Sequence, residues 1–121
     1  MKLHRSRAQA ASAIGILLLI ILTAFIGIHS QAQNLGERTV TGTVLDSAGN
    51  PVQGATVFLK NQKSKTIRSF NSLANGHFYF AQVNKAEDFD LWAEKNGRKT
   101  DVKTVSSWDD RTQFVTVLHM K

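Results

Sequence analysis

Between Thr39 and Lys60 the chain alternates small or branched apolar residues with polar ones. Val40, Gly42 and Val44 come first; after a break around Gly49-Asn50-Pro51 come Ala55, Val57 and Leu59. Alternation at a period of two marks strands that bury one face. The rhythm continues downstream, where Phe78 and Phe80 share one side, as do Phe89, Leu91 and Ala93. Residues 38–45, 55–60, 66–72, 77–81, 89–94, 99–105 and 113–120 therefore read as seven short strands. The breaks carry turn chemistry: Gly49 for positive φ and Pro51 for a fixed φ. Asn75-Gly76 and Asn96-Gly97 are hairpin signals. No helical period follows residue 33, so the pattern predicts an all-β sandwich of seven strands, antiparallel or mixed.

The N-terminus has a different character. Lys2, Arg5 and Arg7 precede an apolar run over residues 10–28, and Ser30-Gln31-Ala32 puts small residues where a signal peptidase cuts. Basic start, apolar middle and small-residue exit describe an export signal. The run exceeds the usual ~7–15 residues of a cleaved leader and approaches the ~20 that span a bilayer. Two fates stay open: removal after Ala32, or retention as a hydrophobic helix that tethers the chain to a membrane. Either makes the domain exported: periplasmic, secreted or associated with the cell envelope. The expected organisation is a leader or anchor over 1–32, a polar lead-in over 33–38 and a sandwich over 39–121.

Charge changes the picture little. The whole chain carries +6, but Lys2, Arg5 and Arg7 account for half of that, leaving +3 on the rest. Basic and acidic residues then interleave, and the densest basic group, Lys60, Lys63, Lys65 and Arg68, fits a solvated strand edge that resists unwanted pairing. A nucleic-acid partner would call for a concentrated basic face, so none is expected. The chain contains no cysteine, which excludes disulfides, thiolate nucleophiles and cysteine metal sites.

Catalytic patterns are missing. His77 and His119 stand alone, with no His-x-x-Glu or His-Glu-x-x-His spacing around them, whereas zinc takes three or four protein ligands. Asp46, Ser47 and Asn50 offer oxygen ligands but are accounted for as turn formers. Asp109-Asp110 and Glu87-Asp88-Asp90 could form acid pairs or calcium ligands, although strand neighbours face opposite ways, so Asp109 and Asp110 converge only if their segment is a loop. No cofactor, metal or catalytic residue is expected. The aromatic residues are the stronger lead. Alternation that turns Val57, Leu59, Phe78, Phe80, Leu91 and Ala93 inward turns Phe58, Tyr79 and Trp92 outward, and Trp108 falls in a polar corner. Outward aromatics mark a contact surface for a protein or a glycan, or else cross-strand pairs that stabilise the outer face.

The stretch V-x-G-x-V-x-D-x-x-G-x-P-x-x-G-A-x-V-x-L over 40–59, with Gly76, Phe78 and Phe80 as a later G-x-F-x-F, resembles the carboxypeptidase regulatory-like domain family. The resemblance extends over roughly 39–121 and is to its small, exported, single-domain bacterial variants. It implies a transthyretin-like (prealbumin-like) β-sandwich without catalytic activity, a binding or structural accessory acting on an envelope protein. The WAEKNGRKT segment departs from the Pro-Gly-Tyr-like segment of many relatives, which weakens transfer of a particular partner. A carbohydrate-binding module using the exposed aromatics is the alternative. A transthyretin-related hydrolase is a third, set back by a Val-Leu-His-Met-Lys terminus that lacks the Tyr-Arg-Gly-Ser-type ending.

Overall fold

The computed structural model describes residues 36–121. The expected leader, its hydrophobic helix and most of the lead-in lie outside the described residues. Eight strands follow in order: β1 (Glu37–Leu45), β2 (Thr56–Asn61), β3 (Ile67–Asn71), β4 (His77–Asn84), β5 (Phe89–Lys95), β6 (Arg98–Lys99), β7 (Lys103–Val105) and β8 (Gln113–His119). One sheet runs β4-β1-β8, and the other runs β3-β2-β5-β6 with β7 also paired to β5. The first sheet is mixed, because β1 is antiparallel to β4 and parallel to β8. The inner faces share one apolar core, which includes Val40, Val44, Val57, Leu59, Phe78, Phe80, Leu91 and Leu118. Phe70 of β3 meets Phe80 of β4 edge-on across the two sheets, with ring centroids 6.3 Å apart. The all-β sandwich expected from alternation is the fold observed.

Three local features depart from the seven-strand expectation. The predicted strand 99–105 is split into β6 and β7 by a bulge, in which residues 100–102 oppose only Trp92 and Ala93. Thr100 makes the bulge possible. Its N–H donates to Ala93 O at 2.9 Å, while its hydroxyl oxygen accepts the Ala93 N–H at 2.9 Å in place of a ladder carbonyl. A second bulge lengthens β4 beyond the predicted end at Ala81. The β1–β4 register shifts between Arg38 and Val40, and Gln82 takes up the extra residue at φ 55°. That insertion returns Val83 to the inward face used by Phe78 and Phe80.

The third departure concerns Asn75-Gly76. Asn96 and Gly97 both take positive φ and close the β5–β6 hairpin as expected. Asn75-Gly76, by contrast, joins β3 to β4, which belong to different sheets. The turn carries the chain across the sandwich and docks on β1, with Val44 N–H donating to Gly76 O at 2.8 Å. An Asn-Gly pair specifies a reversal of direction, while the partner of each flanking strand is chosen by packing.

Gly42 holds the centre of the three-stranded sheet. It pairs with Phe78 on one side and Thr116 on the other, at an inward-facing position of β1. A Cβ there would lie 1.9 Å from the Thr116 carbonyl oxygen and 2.8 Å from the tip of the Phe78 ring. Backbone cannot retreat from such a clash as a flexible side chain can. Gly42→Ala is expected to lower unfolding free energy by about 3 kcal/mol, the upper end of ordinary overpacking. Gly36→Ala, where no atom lies within 4 Å of the added carbon, is expected to change little in the same urea titration. Equal midpoints for the two variants would refute this role for Gly42.

Candidate interaction surface

The four aromatic residues singled out from the sequence, Phe58, Tyr79 and Trp92 as one outward platform and Trp108 in its polar corner, lie in three separate places. Phe58 and Trp92 are register partners on β2 and β5, with rings stacked at 5.2 Å and 24°. The Trp92 indole Nε1 is enclosed and has no hydrogen-bond partner within the protein. Tyr79 lies on β4 of the other sheet and is 47% exposed. Trp108 belongs to no strand, sits in the connection between β7 and β8 and is 94% exposed. Alternation separates inside from outside along a strand but leaves open which of two sheets the strand joins.

The Trp108 corner is the most constrained of these places, and its constraint begins in β1. Arg38 occupies an inward register position there and is only 2% exposed. Its guanidinium Nη1 donates to Ser106 O at 3.0 Å and to Asp109 O at 2.8 Å, and Nη2 reaches Glu87 O at 3.5 Å. A buried cation is thus compensated mainly by main-chain carbonyls, while its Nε finds no acceptor. Burial lowers the Arg38 pKa below its ordinary value, opposed by the negative charges of Asp109 and Asp88. An arginine remains charged even so.

The rest of the corner is closed by short-range bonds. Asp88 accepts the Ser107 N–H at 2.6 Å, Ser106 Oγ accepts the Trp108 N–H at 3.1 Å, and Ser106 O accepts the Asp109 N–H at 3.1 Å. Arg111 and Asp109 form a forked pair, with Nε at 2.9 Å and Nη2 at 2.5 Å from the two carboxylate oxygens. The corner therefore holds its backbone from both sides of Trp108 and leaves the indole in water. Because the turn that carries it is already ordered, little backbone freedom is lost when a partner covers the indole.

The remaining candidates are accounted for locally. Asp46 Oδ1 accepts the N–H groups of Ala48 and Asn50, as a turn residue does. The carboxylate of Glu87 accepts from Asn61 Nδ2, and Asn61 Oδ1 in turn accepts the N–H groups of Lys63 and Ser64. His77 Nε2 lies 3.3 Å from the Thr41 hydroxyl. Among the described residues no three His, Asp or Glu side chains gather in a metal-holding group. Arg38, whose buried guanidinium orders the corner, is not signalled by the sequence. A charged residue beginning a strand reads as a solvated end, and only its inward phase with Val40 and Val44 hints otherwise.

The corner's carboxylates titrate abnormally. Hydrogen bonds from the Arg111 side chain and then its backbone N–H lower the Asp109 pKa from 3.8 to about 2, with the Arg111 and Arg38 charges assisting. The Ser107 N–H likewise lowers Asp88. A carboxylate depressed in the folded state stabilises above its unfolded value and loses that contribution as pH falls through the folded one. Thermal stability should therefore fall as pH drops from about 4 to about 2. Asp109→Asn should be less stable near neutrality and show a shallower acid limb in the same melting series. Parallel acid limbs for the two proteins would assign the loss to other groups.

Comparison with known proteins agrees with this architecture. No curated protein sequence is significantly similar to the chain. Among solved structures, a variant of the major pilin subunit of Bacillus cereus superposes with a TM-score of 0.57 at 18% identity, over 71% of this chain and 30% of that one. A catechol 1,2-dioxygenase from Acinetobacter does so with a TM-score of 0.54 at 12% identity, over 73% of this chain and 53% of that one. A dioxygenase domain from Streptomyces gives a TM-score of 0.52 at 12% identity, over 69% and 79% respectively. The chain thus spans less than a third of the pilin and about half of the Acinetobacter enzyme. Identities this low speak for the fold alone. The family model of the carboxypeptidase regulatory-like domain matches residues 39–118, almost the whole described sandwich, and the chain belongs to that family.

Proposed function

We propose that this chain is a non-catalytic, exported binding module that engages a protein partner in the cell envelope through the Trp108 corner. The observation that carries the reading is a tryptophan 94% exposed on a turn tied down by a buried arginine and by Asp88. A free indole contributes nothing to the core, whereas a covered one is among the strongest interface anchors. The family is of a regulatory, non-catalytic type, which supports a binding role over chemistry. Export is supported by the basic, apolar and small-residue order of residues 1–32.

A second reading keeps the binding role and changes the ligand to a glycan. It is favoured by the Phe58–Trp92 stack on an outer sheet face. Sugar rings pack on such faces while polar groups at the rim take their hydroxyls. Polysaccharide titrations monitored by tryptophan fluorescence separate the two readings. A signal that survives Trp108→Ala and disappears in Trp92→Phe belongs to the glycan reading.

The test of the first reading is capture from envelope extract by the full chain and by Trp108→Ala. The variant should retain a specific partner at least roughly tenfold less well, as expected for a central anchor. Its unfolding free energy should stay within about 0.5 kcal/mol of the parent, as expected for an exposed site. Undiminished capture by the variant would remove Trp108 from the interface.

A further inference from the structure

Asparagine is chemically labile where the main-chain nitrogen of the next residue can reach its side-chain carbonyl carbon. A main-chain N–H held in a hydrogen bond cannot make that approach until the bond opens. Among the described residues there are six asparagines, and five of them have no such nitrogen to hand. Asn50 precedes Pro51, whose nitrogen carries no hydrogen. After Asn61, the Gln62 N–H donates to Asp88 O at 3.0 Å. After Asn71, the Ser72 N–H donates to Ala55 O at 2.8 Å, and after Asn84 the Lys85 N–H donates to Gly36 O at 2.9 Å.

The two Asn-Gly pairs, alike in sequence, separate on the same criterion. Gly76 N–H donates to Leu73 O at 2.8 Å, and Asn75 Oδ1 accepts the His77 N–H at 3.0 Å. Gly76 also lies so close to β1 that a Cβ there would be 2.6 Å from Val44 O. Asn96-Gly97 is instead the two-residue loop of the β5–β6 hairpin, closed by the pair Lys95↔Arg98. In such a loop the ladder bonds fall on the closing pair, which leaves the Gly97 N–H to water. Both loop residues are exposed, and no atom lies within 4 Å of a Cβ placed at Gly97. The Asn96 carboxamide is free of the local bonds that hold the Asn61, Asn75 and Asn84 side chains. Because β6 is two residues long, the hairpin tip can open without disturbing the core.

We propose that Asn96 is a site of spontaneous, irreversible modification, by which the β5–β6 hairpin acquires a carboxylate as the protein ages. The Gly97 nitrogen gives up its proton to solvent and attacks Asn96 Cγ. A bond forms between that nitrogen and Cγ, the Cγ–Nδ2 bond breaks, and ammonia leaves with a proton from water. Water then opens the resulting five-membered imide. Cleavage at Cγ gives aspartate in an intact main chain; cleavage at the main-chain carbonyl gives isoaspartate, which inserts an extra carbon into the loop. The sum is one water consumed and one ammonia released, with no oxidant, reductant or enzyme.

The surroundings give the new charge a consequence. Asn96 borders two surface clefts, one of about 460 Å³ with Glu94, Lys95 and Lys99, the other of about 380 Å³ with Asp46, Val52 and Met120. Lys95 and Arg98 also line the second cleft, where Asp46 is the one acid. A carboxylate at Asn96 therefore cancels the single excess positive charge of that cleft. The site is at the far end of β5 from Asp88 and the Trp108 corner, and it does not rest on that interface.

The test is to age the folded full chain in mildly alkaline buffer and map its peptides by mass spectrometry. Asn96 should convert to a mixture of aspartate and isoaspartate roughly tenfold or more faster than Asn75, whose reaction must wait for a packed main-chain bond to open. In the urea-unfolded chain the two Asn-Gly pairs should convert at similar rates, because each is followed by the same residue. The aspartate product should co-elute with Asn96→Asp on cation exchange, ahead of the parent. Equal rates for Asn75 and Asn96 in the folded chain would overturn the proposal, as would conversion of another described asparagine ahead of Asn96. So would an Asn96 that persists in the folded chain while the unfolded chain converts it.

Discussion

The close approach at Gly42 is the constraint on which the three-stranded sheet depends. β1 is bonded on both sides, to β4 and to β8, and its inner face must also accommodate the Phe78 ring. Only a residue without a Cβ leaves room for both the Thr116 carbonyl and that ring. With Gly42 in place, Val40 and Val44 flank the ring, and Leu118 closes the same inner layer from β8. The opposing sheet completes the core with Val57, Leu59 and Leu91. A chain without disulfides must gain its cohesion from such packing, because burial of apolar area is then its main stabilising term.

At one end of β1 the same inward row finishes in a cation. Arg38 follows the phase of Val40 and Val44, so the alternation that builds the core also drives a guanidinium inside. The chain resolves this by bringing the carbonyls of Ser106, Asp109 and Glu87 to the charge. The result is more than compensation. Two of those carbonyls flank Trp108, so the requirement to satisfy a buried arginine orders the segment that presents an exposed indole. Asp88, just before β5, braces the same turn through Ser107. Core formation and surface presentation are thus linked through one side chain.

The molecule separates its surfaces by character. The outer face of the β3-β2-β5-β6 sheet bears Lys60, Asp90, Glu94 and Lys99 around the Phe58–Trp92 stack. The outer face of the β4-β1-β8 sheet is formed by threonines, Tyr79, Val115 and Val117, and Thr100 bridges to Met120 at the far end of its β8 edge. The Trp108 corner lies on the connection between them. Its family relationship and its fold likeness to a pilin subunit and to dioxygenase domains describe a sandwich that very different proteins employ. Function in such a fold resides in loops and edges, which is where the exposed aromatic and apolar residues of this chain are found.

Strand positions and inward faces were legible in the sequence because side chains alternate with a strict period of two. The Val40–Val44, Ala55–Leu59 and Phe89–Ala93 rows are buried as that period requires. Asn96-Gly97 was legible as well, since both residues accept positive φ. What alternation does not carry is partnership. It placed Phe58, Tyr79 and Trp92 outward but left them on one imagined surface, where long-range pairing divides them between two sheets. It could not foresee that Asn75-Gly76 would cross the sandwich, that Thr100 and Gln82 would form bulges, or that β8 would run parallel to β1 and end a sheet. Those outcomes depend on contacts between residues far apart in the chain, as does the burial of Arg38 against carbonyls some seventy positions away. Local chemistry determined where the strands and turns lie and which way their side chains face; tertiary packing alone decided the neighbours of each strand, and so which residues share a surface.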